Sequence, residues 1–401
     1  MLEEDNQLNN STEDTETVIP LPQIVSEFDK DRRDLALSYT RALRHFGFKM
    51  TIVSLFVSLT ILLSKVTVEF EQVIRTSVSD NPFVVVGLFF FISFIIITIV
   101  ELPISYYTFS RYSRKYGLVK LSNRHWLKRQ LKGDFFSILI GIILFEGFYW
   151  ILRAFPETWW IIGTIALLLF SLIMGALVPI FILPHFYKFS SLDETHPELA
   201  AEVLQMVETL GVKTTKVLNW RLGEIATVGN AGLMGFGSTR RIVIADTMLE
   251  KYTPEEIKWV LLHEIGHFKH HDMWRQILIS ICTTIFMFFL THIFFTPIAD
   301  FLGYPGNIAS IGSLPVLGII FFMISSVLFN VPSLAYSRKR EAAADSYASS
   351  YINKPAIATS LFIKMADQNL ADIDPPWWEK YFFMSHPPIK ERMADRKDSQ
   401  L

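Results

Sequence analysis

The chain has a single cysteine among 401 residues, and its first 23 residues contain no lysine or arginine. One cysteine cannot form an internal disulfide, which excludes a disulfide-stabilised scaffold. A secretory signal peptide begins with basic residues and an apolar stretch, so the acidic start of this chain does not predict one. The tail 1–23 has too little apolar surface to fold and is predicted to be disordered. With a net charge of −2, no nucleic-acid partner is expected.

Hydrophobic residues dominate what remains. They make up 51% of the chain, and charged residues only 19%, against roughly 25% in globular proteins. A membrane helix needs about 20 mostly apolar residues. Six runs approach or exceed this length: 50–68 (interrupted by Lys65), 83–107, 135–152, 159–183, 277–298 and 314–336. The composition therefore predicts a mainly α, polytopic membrane protein with about six spans.

Basic residues indicate the orientation of these spans. They cluster before the first span, between the second and third, and after the sixth. Short basic segments stay in the cytoplasm, and six spans place all three clusters on one side together with the N-terminus. The predicted divisions are the tail 1–23, spans one to four in 24–183, a cytoplasmic region at 184–276, spans five and six in 277–336, a further cytoplasmic segment at 337–396, and the tail 397–401.

A metal-binding motif, His-Glu-Ile-Gly-His, occupies residues 263–267. Ten residues earlier, Thr253 and Glu256 flank Pro254 in the pattern of a capping box, which predicts that a helix begins there and continues through the motif. His263 and His267 would then lie one turn apart on one face, about 6 Å along the axis, and could bind one zinc ion. Glu264 beside them is placed to act as a general base.

A catalytic zinc site needs a third protein ligand. His271 is excluded together with its neighbour His270, because the helical rise from His263 to His271 is about 12 Å. These two histidines are predicted to end the helix. Glu341 is the better ligand, and Asp345, one turn later, can accept the free ring N–H of a ligand histidine. The alternative for this segment is a surface helix with salt bridges.

Residues 225–246 predict two short strands. In residues 240–245, apolar and polar side chains do not alternate regularly, so this strand is predicted to be buried on both faces. Residues 225–230 are predicted to form an edge strand that pairs with an extended peptide substrate, with Asn230 holding the substrate backbone. Residues 184–276 are thus expected to form a zincin-like catalytic region that contains a small β-sheet.

The pair of motifs, with Glu341-x-x-x-Asp345 two spans after the histidines, resembles the integral-membrane CaaX prenyl endopeptidases, the type I gluzincin family. Residues 102–107, 241–247 and 385–388 (Ser-His-Pro-Pro) also resemble segments of that family. The eukaryotic members have one more N-terminal span, so this chain is similar to a shorter, prokaryote-like form. Gly232 stands where an aromatic residue is usual.

The resemblance implies a zinc metalloendopeptidase with one Zn²⁺ per chain that cuts prenylated C-terminal tails. It implies His386 as a donor to the developing oxyanion, whereas the residues alone favour a histidine in an ordinary turn before two prolines. Asn230, Ala231 and Arg392 are implied on the substrate side. Arg392 could instead orient His386 or be a solvated helix charge.

Two other functions stay open from the sequence. A related bacterial membrane quality-control metalloprotease would share the zinc site but accept many peptide or protein substrates. A transporter or channel could use Glu101 and Glu146 within its spans, but it leaves the zinc motif unexplained. The expected setting is an integral membrane with lipid contacts: the bacterial inner membrane for a prokaryotic chain, or the endoplasmic reticulum for a eukaryotic one.

Overall fold

The computed structural model describes residues 28–214, 216–235 and 240–394. The predicted tails at 1–23 and 397–401 fall outside these residues. Within them, six helices are long and apolar enough to cross a membrane, as predicted. The helices of the membrane region are α1 (Lys30–Ser64), α2 (Val66–Ser77), α3 (Pro82–Thr108), α4 (Asn123–Ala154), α5 (Trp159–Leu177) and the short α6 (Leu183–Phe186). Two π-helical segments, Phe109–Arg114 and Val178–Ile182, follow α3 and α5.

The remaining elements form the catalytic region and the last two spans. They are β1 (Phe189–Ser191), α7 (Pro197–Thr209), β2 (Val217–Trp220), β3 (Ala231–Met234), β4 (Arg241–Ala245), α8 (Asp246–Leu249), α9 (Pro254–Lys269), α10 (Asp272–Leu302), α11 (Leu314–Ile324), α12 (Asn330–Tyr351), α13 (Pro355–Asn369), α14 (Trp377–Phe383) and α15 (Ile389–Ala394). A π-helical segment, Ser325–Phe329, joins α11 to α12, so that the sixth spanning helix continues into the catalytic region.

The first span ends earlier than predicted. Lys65 adopts a left-handed backbone conformation with φ 56°, which terminates α1 at Ser64 and starts the separate helix α2. The predicted end at residue 68 is therefore wrong. The α2 helix is held by the loop before the sixth span, since Glu71 accepts hydrogen bonds from the Gly312 amide (2.8 Å) and the Ser310 hydroxyl (2.6 Å).

A small mixed sheet lies beside the metal-motif helix. Its strand order is β1-β2-β4-β3, with β2 parallel to β4 and the other pairs antiparallel. Residues 242–245 of β4 are buried on both faces, as predicted, whereas Arg241, also predicted to be buried, is exposed. Strands β1 and β2 were not predicted.

The predicted edge strand at 225–230 is wrong. The amides of Ile225 and Ala226 donate to the Leu222 carbonyl, so this stretch begins as a turn. Ala226 then forms only an isolated bridge with Val119. The real edge strand is β3, which begins one residue after Asn230.

The core of the catalytic region lies between the sheet and helices α7, α9 and α13. Ile257, Trp259 and Leu261 of α9 pack there with Leu361 and Phe362 of α13, all at most 2% exposed. Fully burying a side chain of this size stabilises a fold by roughly 1.5–3 kcal/mol. This core fixes the helix that carries the metal motif.

The first helix also holds the C-terminal segment. Arg44 of α1 pairs with Asp372 and with Glu379, at 2.5 Å in each case. Near the start of the same helix, Arg32 donates to the carbonyl of Asp367 at 2.7 Å. The half of α1 that is predicted to be cytoplasmic therefore holds the segment that precedes His386.

Candidate metal centre

The metal-motif helix α9 starts where the capping box predicts. The Thr253 hydroxyl accepts from the Glu256 amide at 3.3 Å, and the Glu256 carboxylate accepts from the Thr253 amide at 2.8 Å. The helix then runs without interruption through His263, Glu264 and His267 to Lys269, with His270 as its C-cap. The predicted helix start and helix end are both confirmed.

Small residues allow α12 to approach α9 closely. A Cβ atom added at Gly266 would lie 3.2 Å from the Cα atom of Ala344 and 3.1 Å from the Cβ atom of Tyr347. The glycine between the two motif histidines therefore sets the distance between the helices. This distance brings Glu341, one turn before Ala344, up to both imidazoles.

Three ligating groups converge at this contact. A carboxylate oxygen of Glu341 lies 3.4 Å from Nε2 of His263, and its other oxygen lies 3.4 Å from Nε2 of His267. One ligand atom from each residue falls within 4.8 Å of the others. Glu341 Oε2 is buried but makes no hydrogen bond to any described residue. Two imidazoles and a carboxylate with an unsatisfied oxygen fit a divalent metal ion.

On the side of its ring away from Glu341, His263 is held by a carboxylate that is itself bound by an arginine. Its Nδ1 atom lies 2.8 Å from Asp345 Oδ1, and Arg392 donates to both oxygens of Asp345, at 2.8 and 2.6 Å. With the proton on Nδ1 donated to Asp345, the lone pair of Nε2 is free to ligate a metal ion. The structure thus places Arg392 on Asp345, a partner that the sequence analysis did not identify.

His267 has a matching arrangement that the sequence analysis missed entirely. Its Nδ1 atom lies 2.9 Å from Asp272 Oδ2, and Arg340 donates to the other oxygen of Asp272 at 2.5 Å. Asp272 opens α10, and Arg340 directly precedes Glu341. An acidic residue five positions after the second histidine, with an arginine next to the third ligand, was the available signal.

Glu264 lies beside the edge strand. A Cβ atom added at Gly232 of β3 would be 3.6 Å from Glu264 Oε2. Ala231 is buried, whereas the preceding Asn230 is exposed and uses its carbonyl to accept from the Ala245 amide at 2.9 Å. The Glu264 carboxylate therefore lies next to Gly232, on a strand at the edge of the sheet.

His386 reaches the centre from the C-terminal segment. Its Nε2 atom lies 3.3 Å from Glu341 Oε1, and its Nδ1 atom lies 2.9 Å from the Ser385 hydroxyl. The side chain is 58% exposed. His386 thus borders the metal ligands and also faces solvent.

Two pKa shifts describe the electrostatics of the site. Burial raises the pKa of the Glu264 carboxyl. Burial alone would lower the pKa of His263, but the hydrogen bond with Asp345 and the nearby carboxylate of Glu341 outweigh it and raise the pKa to about 9. The carboxylates around the centre therefore favour positive charge at the imidazoles, as they would favour a cation between them.

Comparison with known proteins assigns the chain to a protein family. Residues 193–399 match the model of peptidase family M48. The chain belongs to this family. Residues 10–188 match the model of the CAAX prenyl protease N-terminal region, which has five membrane helices. In that region the described residues contain four helices of spanning length.

Individual known proteins also resemble the chain over most of its length. The uncharacterized metalloprotease YhfN of Bacillus subtilis is 25% identical over 84% of this chain and 79% of its own. CAAX prenyl protease 1 of Saccharomyces cerevisiae is 28% identical over 74% of this chain and 68% of its own. The crystal structure of S. mikatae Ste24p has the same fold, with a TM-score of 0.83 and 22% identity over 95% of this chain and 92% of that one.

The family and the metal-ligating cluster identify the chain as a multi-pass membrane metalloprotease. The predictions of family, fold class and enzyme class from the sequence are confirmed. A transporter or channel is not supported, since both matching models are those of proteases.

Proposed function

We propose that the chain is a zinc endopeptidase and that it removes C-terminal residues from prenylated CaaX substrates. The observation that carries the proposal is the convergence of His263, His267 and Glu341 beside Glu264 and an open edge strand. Two histidines and one glutamate are a donor set of catalytic zinc sites, which leave the fourth position for water or substrate.

The chemistry follows from the groups around the proposed zinc. A bound zinc ion supplies a Lewis acid that polarises the scissile carbonyl and acidifies water. Glu264 takes the proton from the attacking water and returns it to the leaving amine. Its raised pKa suits this role, because a base works best when its pKa is close to the working pH. His386 donates a hydrogen bond to the developing oxyanion.

The proposed substrate path runs along β3. This strand is at the edge of the sheet, so its outer backbone groups are available to an extended peptide. Gly232 leaves the space next to Glu264 free of side-chain atoms. Asn230, exposed at the start of the strand, is positioned to hold the backbone of the peptide, with Ala231 beside it.

Two further parts of the proposal concern substrate and orientation. The prenylated tail is supported by the match to the CAAX prenyl protease N-terminal model and by relatives named CAAX prenyl protease 1 in yeast and human.

The basic clusters support a metal centre and an N-terminus on the cytoplasmic side. That side faces the bacterial cytoplasm for a prokaryotic chain and the cytosol for an endoplasmic-reticulum protein.

The experiment compares a farnesylated CaaX peptide with its unprenylated twin. Each is incubated with purified protein and with the Glu264→Gln variant, and products are identified by mass spectrometry alongside zinc content. We expect cleavage of the farnesylated peptide after the modified cysteine. Loss of the base should reduce the rate about 10²–10⁴-fold with zinc retained.

The other outcomes separate the parts of the proposal. Equal cleavage of both peptides would retain the zinc endopeptidase but replace the prenyl preference with a broad quality-control role. Full activity of the Glu264→Gln variant would contradict the assigned base. Protein that is active with a different metal and no zinc would overturn the choice of metal.

A further inference from the structure

The short helix α14, just before His386, exposes an unusual surface. Five of its seven residues are aromatic, and all five are exposed: Trp377, Trp378, Tyr381, Phe382 and Phe383. Trp377 is 68% exposed to solvent and Phe383 is 71% exposed. Their rings also pair across the surface, Trp377 with Phe382 and Trp378 with Phe383. We call this continuous surface the α14 aromatic face.

The two charged residues of α14 are paired with residues of other helices. Glu379 pairs with Arg44 of α1 at 2.5 Å, and Lys380 pairs with Glu391 of α15 at 2.6 Å. A helix at a water-facing surface normally exposes its charges and buries its apolar side chains. Here the charges are satisfied by the protein and the aromatic side chains face outward. This inversion indicates that the surroundings of the α14 aromatic face are not bulk water.

The position of α14 identifies these surroundings. The Asn330 side chain donates to the Phe382 carbonyl at 3.2 Å, and Arg338 donates to the Lys380 and Met384 carbonyls at 2.8 Å each. Both donors belong to α12, which continues the sixth spanning helix. From Asn330 to Arg338 the helix rises about 12 Å. The α14 helix therefore lies along the stretch where that helix leaves the apolar layer.

We propose that the α14 aromatic face inserts into the interfacial layer of the bilayer. Tryptophan and tyrosine concentrate at this layer, and interfacial helices bury their apolar face about 5–10 Å into it. Lipid is the partner that fits, because α14 is held against Asn330 and Arg338, directly after the sixth-span stretch in which Phe322 and Val327 are exposed. The Met384 carbonyl that Arg338 holds lies two residues before His386, so the membrane contact also positions that histidine.

A depth measurement tests the proposal without relying on peptidase activity. The chain has a single cysteine, and Cys282→Ser removes it. In that background, Trp377→Cys and Phe383→Cys each receive an environment-sensitive fluorophore, and the proteins enter phosphatidylcholine liposomes. Phe56→Cys, on the exposed surface of the first span, is the lipid control. Tyr351→Cys, exposed at the far end of α12, is the water control.

We expect labels at 377 and 383 to shift to shorter emission wavelengths and to lose intensity when nitroxide-bearing lipids are added, as at position 56. Quenching by a water-soluble nitroxide equal to that at position 351 would overturn the proposal. Labels that neither quencher reaches would also overturn it, since the face would then be covered by protein or line an internal chamber. Monodisperse elution of each labelled variant establishes that it is folded.

Discussion

Replacing Asp345 by Asn removes one negative charge and almost no volume from behind the metal centre. Asp345 is 11% exposed and accepts from His263 and twice from Arg392, itself 12% exposed. The asparagine can still accept from His263 through its amide oxygen, but a neutral acceptor makes the imidazole less basic. Substitutions of such outer groups reduce metal affinity about 10–100-fold, or about 1.4–2.7 kcal/mol.

The same substitution leaves the Arg392 guanidinium without its anion. Breaking a buried ion pair by removing one partner costs about 3–5 kcal/mol, and the slight exposure of this pair places the expected loss of stability near the lower end. Adding Arg392→Met to Asp345→Asn removes the stranded charge. We expect the double variant to recover unfolding stability while its zinc affinity stays reduced.

Competition titration with a fluorescent chelator gives the zinc dissociation constant, and thermal unfolding of the purified protein gives stability. The control is Asp374→Asn, which removes an exposed partner of Lys390 in the same C-terminal segment and should change neither quantity appreciably. A zinc affinity of Asp345→Asn within about twofold of the unsubstituted protein, well below the tenfold minimum for such groups, would refute the orienting role of Asp345.

Three further predictions follow from the same contacts. Gly266→Ala places a methyl group 3.2 Å from the Ala344 Cα atom, so it should separate α9 from α12 and lower zinc content, measured by elemental analysis after dialysis. Asp272→Asn should reduce zinc affinity about 10–100-fold through His267, as Asp345→Asn does through His263; an unchanged chelator titration would contradict this. Because the pKa of His263 is raised to about 9, zinc must displace a proton below that pH. Affinity should therefore rise about tenfold per pH unit for each proton displaced and level off above pH 9; a flat profile measured in the same titration would argue against it.

Local sequence determined the parts of the site that were predicted. The capping residues Thr253 and Glu256 act on neighbouring amides, and the histidine spacing depends only on helical geometry. The spacing of Asp272 from His267 is a signal, but helical geometry alone could not place its carboxylate on the histidine. Asp272 reaches His267 because the chain turns sharply at His271, a non-glycine residue with φ 56°. Histidine is enriched among the few non-glycine residues that adopt this left-handed conformation, but the preference is too weak to place the turn at His271 from sequence.

The same difference between local and distant determinants applies to the fold. The spans were predicted because their apolar length is a property of contiguous residues. The edge strand was misplaced because its position depends on distant partners. Ala226 bridges to Val119, more than a hundred residues earlier, while Ala231 pairs with Ile244 of the buried central strand. Strand pairing of this kind is set by tertiary contacts rather than by local preference.

The distribution of the ligands between α9 and α12 has a consequence for biosynthesis. Translation proceeds at about 5–20 residues per second, and His263 and His267 are made before the fifth and sixth spans, whereas Glu341 follows them. A nascent chain that has inserted only five spans has two imidazoles without their carboxylate ligand, and without Asp345 to orient the first. We therefore expect the protease to gain activity only after its last span is in the membrane.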